Sequence, residues 1–173
     1  MTAVALVGFM GAGKTTVGRE LAARLGWHFN DLDDLIQKRE GRSIEHIFRS
    51  CGEARFRDIE SSVLSDVLTR PRLEPLVLAL GGGAFVQVST QKLLQEKGVP
   101  AVFLDAPCEE LFRRCEQPEV RRPLRQSFDQ FSDLYEQRRA AYQKAAVRVD
   151  TASKFIPAIV DEIIATLNLG VNA

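Results

Sequence analysis

The chain has 173 residues, 45 % hydrophobic and 27 % charged, which fits one compact soluble domain with enough apolar surface for a real core. Lysine plus arginine and aspartate plus glutamate number 23 each, so no global field draws the chain to nucleic acid or to a membrane surface, and neither is an expected partner. No apolar run reaches the ~18 residues that a membrane helix needs, and Cys51, Cys108 and Cys115, with no CxxC pair, point to neither a disulfide framework nor a zinc site.

The amino terminus runs at once into an apolar strand, Val4–Val7, without the basic start and small-residue cleavage site of a secretory signal; a cytoplasmic protein is expected. Gly8-Phe-Met-Gly-Ala-Gly13-Lys14-Thr15 follows and satisfies GxxxxGK[ST]. Its glycines allow a tight turn that brings successive N–H groups toward phosphate oxygens. The helix Lys14–Leu25 opens there and adds the positive end of its dipole. Gly11, Ala12, Gly13, Lys14, Thr15 and Thr16 are therefore the expected nucleotide contacts. In this motif the lysine reaches the β- and γ-phosphates and the hydroxyl of Thr15 serves Mg²⁺. The second strand, Trp27–Asp31, leads into Asp31-Leu-Asp33. Carboxylates at i and i+2 on a strand share a face, and at the carboxyl end of a parallel strand they border the ligand crevice. Asp31 would hold a water of the Mg²⁺ shell and Asp33 would take the hydroxyl of an acceptor; two solvated loop carboxylates are the alternative.

Asp34–Ser50 is charged and reads as an excursion from the sheet. Glu53–Leu68 then carries one apolar stripe, Phe56, Ile59, Val63, Leu64 and Val67, at helical spacing. Arg57 and Glu60 lie one turn apart on it, either a surface ion pair or an arginine oriented to grip a carboxylate. The third strand, Leu76–Leu80, runs into Gly81-Gly82-Gly83, where backbone N–H groups can approach an anion. A helix over Thr90–Lys97, a strand over Ala101–Leu104 and a helix over Glu109–Cys115 come next. Glu116–Gln126 is rich in arginine and broken by Pro118 and Pro123, the composition of a lid that delivers cations to a phosphoryl group or of a solvated charged face. The chain closes with a helix over Phe128–Ala146, a strand over Val147–Asp150 and a helix over Pro157–Leu167. Apolar strands alternating with helices predict an α/β doubly wound fold with a parallel sheet covered on both faces.

Taken together and in this order, the phosphate loop, Asp31-Leu-Asp33, Arg57 through Glu60 to the triple glycine, Arg122-Pro-Leu124, and Arg138 four residues before Tyr142 resemble the shikimate kinases, P-loop kinases related to the nucleoside monophosphate kinases. The resemblance covers nearly the whole chain. It departs from the family in the tail, where Ala140-Ala-Tyr142 stands in place of Pro-Leu-Tyr. It implies a single domain over 1–173 with a five-stranded parallel sheet in the order 2-3-1-4-5, a substrate-binding insert at about 33–61 and a lid at about 114–126. It implies transfer of the γ-phosphoryl of ATP, with Mg²⁺, to the 3-hydroxyl of shikimate by a monomer. The implied catalytic residues are Asp33, Lys14 and Arg122, with Arg114 near the adenine and Arg122 at the phosphates. Asp33, Arg57, Gly81, Gly82 and Arg138 would bind the acceptor, adjacent Arg139 being the alternative to Arg138; Thr15 and, through water, Asp31 would serve the metal. The competing readings are another small-molecule P-loop kinase, of the gluconate or nucleotide type, and a catalytically silent nucleotide-binding regulator.

Overall fold

The computed structural model describes residues 2–69, 75–116 and 127–170. Five strands form one sheet: β1 (Ala3–Val7), β2 (His28–Asp31), β3 (Leu76–Ala79), β4 (Ala101–Asp105) and β5 (Val147–Asp150). Every residue of β1, β3 and β4 is buried, as continuous apolar runs must be when helices cover both faces of a sheet. The order is β2-β3-β1-β4-β5, as the resemblance implied, and all pairings are parallel, as the apolar strands predicted. From β1 the chain first builds outward to one side, through β2 and β3, and later to the other, through β4 and β5. The carboxyl end of β1 is therefore where the winding reverses, and a doubly wound sheet offers its ligand crevice at that point.

Among the described residues seven α-helices accompany the strands: α1 (Lys14–Leu25), α2 (Leu32–Glu40), α3 (Ile44–Thr69), α4 (Val88–Glu96), α5 (Cys108–Cys115), α6 (Phe128–Tyr142) and α7 (Ile156–Thr166). Among the described residues no helix is long and apolar enough to cross a membrane. Local chemistry sets several of their ends. Ser127 accepts from the Gln130 N–H while the Gln130 side chain accepts from the Ser127 N–H, a reciprocal cap that starts α6. Asp31 caps α2 by accepting from the Asp33 N–H at 3.0 Å.

The excursion expected over Asp34–Ser50 is built of helix: α2 buries only Leu32 and Ile36, too narrow a stripe to stand out against its charges. Two boundaries need correction. Helix α3 begins at Ile44 rather than at residue 53, and the break falls inside it, where Gly52 takes φ 76° and ψ 172°. Helix α6 ends at Tyr142, four residues early, because Lys144 and Ala145 turn back to bond Ala141 and Tyr142.

Candidate active site

The loop after β1 and the first turn of α1 form one wall of the site. Gly13 stands before α1 with φ 84° and no side chain caps the helix, so its first N–H groups are left for an anion. Gly11, at φ 79°, is packed so closely that an added Cβ would lie 2.6 Å from the Leu111 carbonyl oxygen, which ties the loop to α5. The Lys14 ammonium folds over the loop and donates to the carbonyls of Gly8 at 3.0 Å and Phe9 at 3.1 Å.

Thr15 donates its hydroxyl to Asp31 Oδ2 at 2.9 Å, while Asp31 Oδ1 caps α2. Asp33 therefore does not continue the strand. It lies in the first turn of α2, and the shared-face argument for the two carboxylates fails as stated. They nevertheless reach the same space. A cavity of about 580 Å³ is lined by the phosphate loop from Met10 to Thr16 and, across from it, by Asp31, Asp33, Gly81 and Gly82. Arg114 and Thr151 line the same cavity.

The triple glycine does more than expose backbone. None of its members needs a positive φ; at Gly81 and Gly83 the reason for glycine is a side chain pressed against it, while Gly82 is closely approached. A Cβ on Gly81 would sit 2.7 Å from Asp33 Oδ1, and one on Gly82 3.4 Å from Arg138 Nη1. A Cβ on Gly83 would fall 2.4 Å from Arg57 Nη2 and 2.8 Å from Nη1. Three charged groups from α2, α3 and α6 thus converge on three successive glycines. Arg57 and Arg138 stand beside this turn and are not part of the cavity lining.

Arg57 donates to Glu60 at 2.7 Å and to Glu53 at 3.3 Å. Glu60 is only 3 % exposed, so this is a buried pair and not the surface pair that spacing alone allowed. Burial pushes the Glu60 carboxyl above the ordinary range, against the pull of the Arg57 guanidinium. The Nε–H of Arg57 is buried and has no hydrogen-bond partner among the described residues.

Geometry separates Arg138 from Arg139. Arg138 holds its guanidinium over the Phe9 ring, 5.8 Å from the centroid, beside Gly82. Arg139 turns to Tyr135 at 3.1 Å and to the buried Asp105 at 3.6 Å, which Arg148 also contacts at 2.8 Å. Arg114 binds Glu110 and donates to the Thr151 carbonyl at 2.9 Å and to the Gly11 carbonyl at 3.4 Å, which strings α5 between the loop and the end of β5. Arg122, and residues 117–126 of the segment expected to act as a lid, lie outside the described residues. Cys51 is exposed, and Cys108 and Cys115 are half-buried.

Sequence reasoning gave no role to Tyr142 and did not single out Gly83 within the glycine run. The run of three glycines was visible, but what presses on each is set by distant segments. Tyr142 is fully buried and donates its hydroxyl to the Gly82 carbonyl.

A parallel sheet of order 2-3-1-4-5, a glycine-rich loop opening α1, and carboxylates across the cavity define a P-loop phosphotransferase. The comparisons narrow the class. The sequence matches the family model for shikimate kinase over residues 10–168. It is 38 % identical to a shikimate kinase of Persephonella marina, over 95 % of this chain and 98 % of that one, and 40 % identical to one of Thermus thermophilus, over 96 % and 90 %. Among solved structures, shikimate kinase from Acinetobacter baumannii in complex with shikimate superposes with a TM-score of 0.87 at 33 % identity, over 97 % of this chain and 93 % of that one. The chain belongs to the shikimate kinase family.

Proposed function

We propose that this protein transfers the γ-phosphoryl group of ATP to the 3-hydroxyl of shikimate, giving shikimate 3-phosphate and ADP on the way to the aromatic amino acids. One observation carries the reading: a single cavity joins the phosphate loop to Asp33, Gly81 and Gly82, in the turn beside which Arg57 and Arg138 stand. A phosphate donor and a small anionic alcohol can meet there without crossing solvent. The family membership and the shikimate complex of the Acinetobacter baumannii relative support the choice of acceptor over gluconate or a nucleotide.

In this reading the hydroxyl oxygen attacks the γ-phosphorus in line with the bond to the β,γ-bridging oxygen, which breaks as ADP leaves. Asp33 orients the hydroxyl and accepts its proton. Lys14 leaves the Gly8 and Phe9 carbonyls for the β- and γ-phosphates, and the N–H groups of Gly11 to Thr16 hold the remaining phosphate oxygens. Arg57 and Arg138 bind the carboxylate of shikimate, with Gly81 and Gly82 leaving room for it, and Arg114 lies along the adenine. Arg122, from the segment 114–126 read as a lid, would add charge at the phosphates, and 33–61 would act as the acceptor-binding insert of a single domain.

The hydroxyl of Thr15 and the carboxylate of Asp31, 2.9 Å apart on the cavity wall, suit Mg²⁺, which with nucleotides takes one or two protein groups and fills its shell with phosphate oxygens and water. Bound there, the ion would neutralise charge on the phosphates. The same reading makes the chain a cytoplasmic monomer that engages neither nucleic acid nor membrane, in keeping with its balanced charge.

Turnover of ATP with and without shikimate, read by ³¹P NMR of the products, tests the proposal. Shikimate-dependent formation of a phosphate monoester is expected. Folded protein that binds ATP yet forms none would leave the readings as a kinase of another acceptor or as a silent nucleotide binder.

A further inference from the structure

Helix α6 grips Gly82 at two points one turn apart. Arg138 sets Nη1 3.4 Å from where a Gly82 Cβ would be, and Tyr142, four residues on, donates its hydroxyl to the Gly82 carbonyl. Residues at i and i+4 share a helix face, so the two act from one side. Tyr142 has no surface exposure, and its ring lies against Phe103 of β4 with centroids 5.3 Å apart. The hydroxyl cannot wander.

The neighbouring peptide is fixed as well. The Gly81 carbonyl accepts from the Ala84 N–H at 3.0 Å. No peptide bond is cis among the described residues, and in a trans peptide the N–H points away from its own carbonyl. With the Gly81 carbonyl held by Ala84, the Gly82 N–H is directed the opposite way. With the Gly82 carbonyl held by Tyr142, so is the Gly83 N–H. Neither N–H donates a hydrogen bond to another described residue. Gly82 lines the cavity, and the Arg57 guanidinium presses on Gly83.

We propose that Tyr142 is a positioning residue for the acceptor: by holding the Gly82 carbonyl it fixes the peptide between Gly82 and Gly83, so that two free N–H groups and the guanidinium groups of Arg57 and Arg138 are arranged for an anionic group before it arrives. The inference rests on the reading of this turn as the acceptor site. Burial pushes the Tyr142 phenol up to about 12, so it stays a hydrogen-bond donor throughout the working pH range and takes no part in proton transfer.

Tyr142→Phe removes one oxygen and keeps the ring. We expect the KM for shikimate to rise about fivefold, the worth of one neutral hydrogen bond, with the KM for ATP and the shape of the pH–rate profile unchanged. A tyrosine that only fills the core would lower the melting temperature and leave both KM values alone; that result overturns the proposal, as does an equal rise in both. A second measurement needs no variant. In the parent protein the Tyr142 hydroxyl proton should give a slowly exchanging low-field NMR signal that persists when shikimate is added, and its absence or its loss on binding also overturns the proposal. If the parent shows no shikimate turnover, the functional reading fails. If the parent turns over and Tyr142→Phe keeps its shikimate KM, only the role of Tyr142 fails.

Discussion

Gly83→Ala is the sharpest probe of the acceptor side, because its effect can be worked from geometry. Gly83 has φ −98° and ψ −14°, a conformation open to alanine, so the substitution carries no backbone strain. The new methyl would lie 2.4 Å from Arg57 Nη2 and 2.9 Å from Cζ, well inside contact distance. A free arginine would swing away at little cost. This one is anchored to Glu60 at 2.7 Å and Glu53 at 3.3 Å, and its Nε is buried. Moving it strains a buried pair whose outright loss would cost about 3–5 kcal/mol; since the arginine is displaced and not deleted, the loss of stability should stay below that ceiling. For function, an Arg57 that grips the acceptor carboxylate as proposed would give up a charge-assisted bond when displaced, about 1.5–3 kcal/mol. At 1.4 kcal/mol per decade the KM for shikimate should rise roughly ten- to a hundredfold, with the KM for ATP nearly constant. Gly82→Ala is the control, since its methyl meets Arg138 Nη1 at a tolerable 3.4 Å. Initial rates with each substrate varied in turn, beside a thermal melt, make the measurement. An unchanged shikimate KM in a folded Gly83→Ala protein, or a larger rise in Gly82→Ala, would refute the reasoning.

Gly81→Ala would set a methyl 2.7 Å from Asp33 Oδ1 and, with Asp33 as the proposed base, should lower kcat roughly a hundredfold while leaving ATP affinity intact in a fluorescent-nucleotide titration. Glu60 has a raised carboxyl, so the folded state holds its proton more tightly than the unfolded one; its contribution to stability is fully present below the ordinary carboxylate range and is lost as pH rises toward the raised value. Glu60→Gln should therefore flatten the decline of urea-unfolding stability across that window, and a decline as steep as the parent's would contradict the assignment. Arg114→Ala breaks the link among Gly11, Glu110 and Thr151 on the nucleotide side and should raise the KM for ATP about tenfold with the shikimate KM constant. Equal effects on both substrates would mean that Arg114 only braces the fold.

What was legible in the sequence was local. The phosphate loop announces itself because strand, glycines, lysine and helix are consecutive, and the buried strands because continuous apolar runs need two covered faces. What escaped was either weakly patterned or non-local. The amino-terminal part of α3 hides because only Ile47 is buried before Gly52, so periodicity appears first at Phe56. Asp33 was assigned to a strand because two carboxylates two apart suit a strand, yet Asp31 caps a helix and passes Asp33 into its first turn. The spacing of Arg57 and Glu60 was visible; that the pair is buried was not, since burial depends on how α3 packs.

The triple glycine shows why the missing part was the functional part. As a sequence, three glycines mean backbone freedom or close approach of an anion, and neither reading tells them apart. In the folded chain each answers to a different partner: Asp33 from α2, Arg138 from α6 and Arg57 from α3. Opposite charges brought this close need room that no side chain can share, and a carbonyl tethered to Tyr142 keeps that room from collapsing. In the proposed reading the turn after β3 is where the acceptor's anion and its hydroxyl would be told apart, with arginines at Gly82 and Gly83 and a carboxylate at Gly81. A substitution at Gly81 should accordingly be felt in kcat and one at Gly83 in KM, though the two residues are only two apart in the chain.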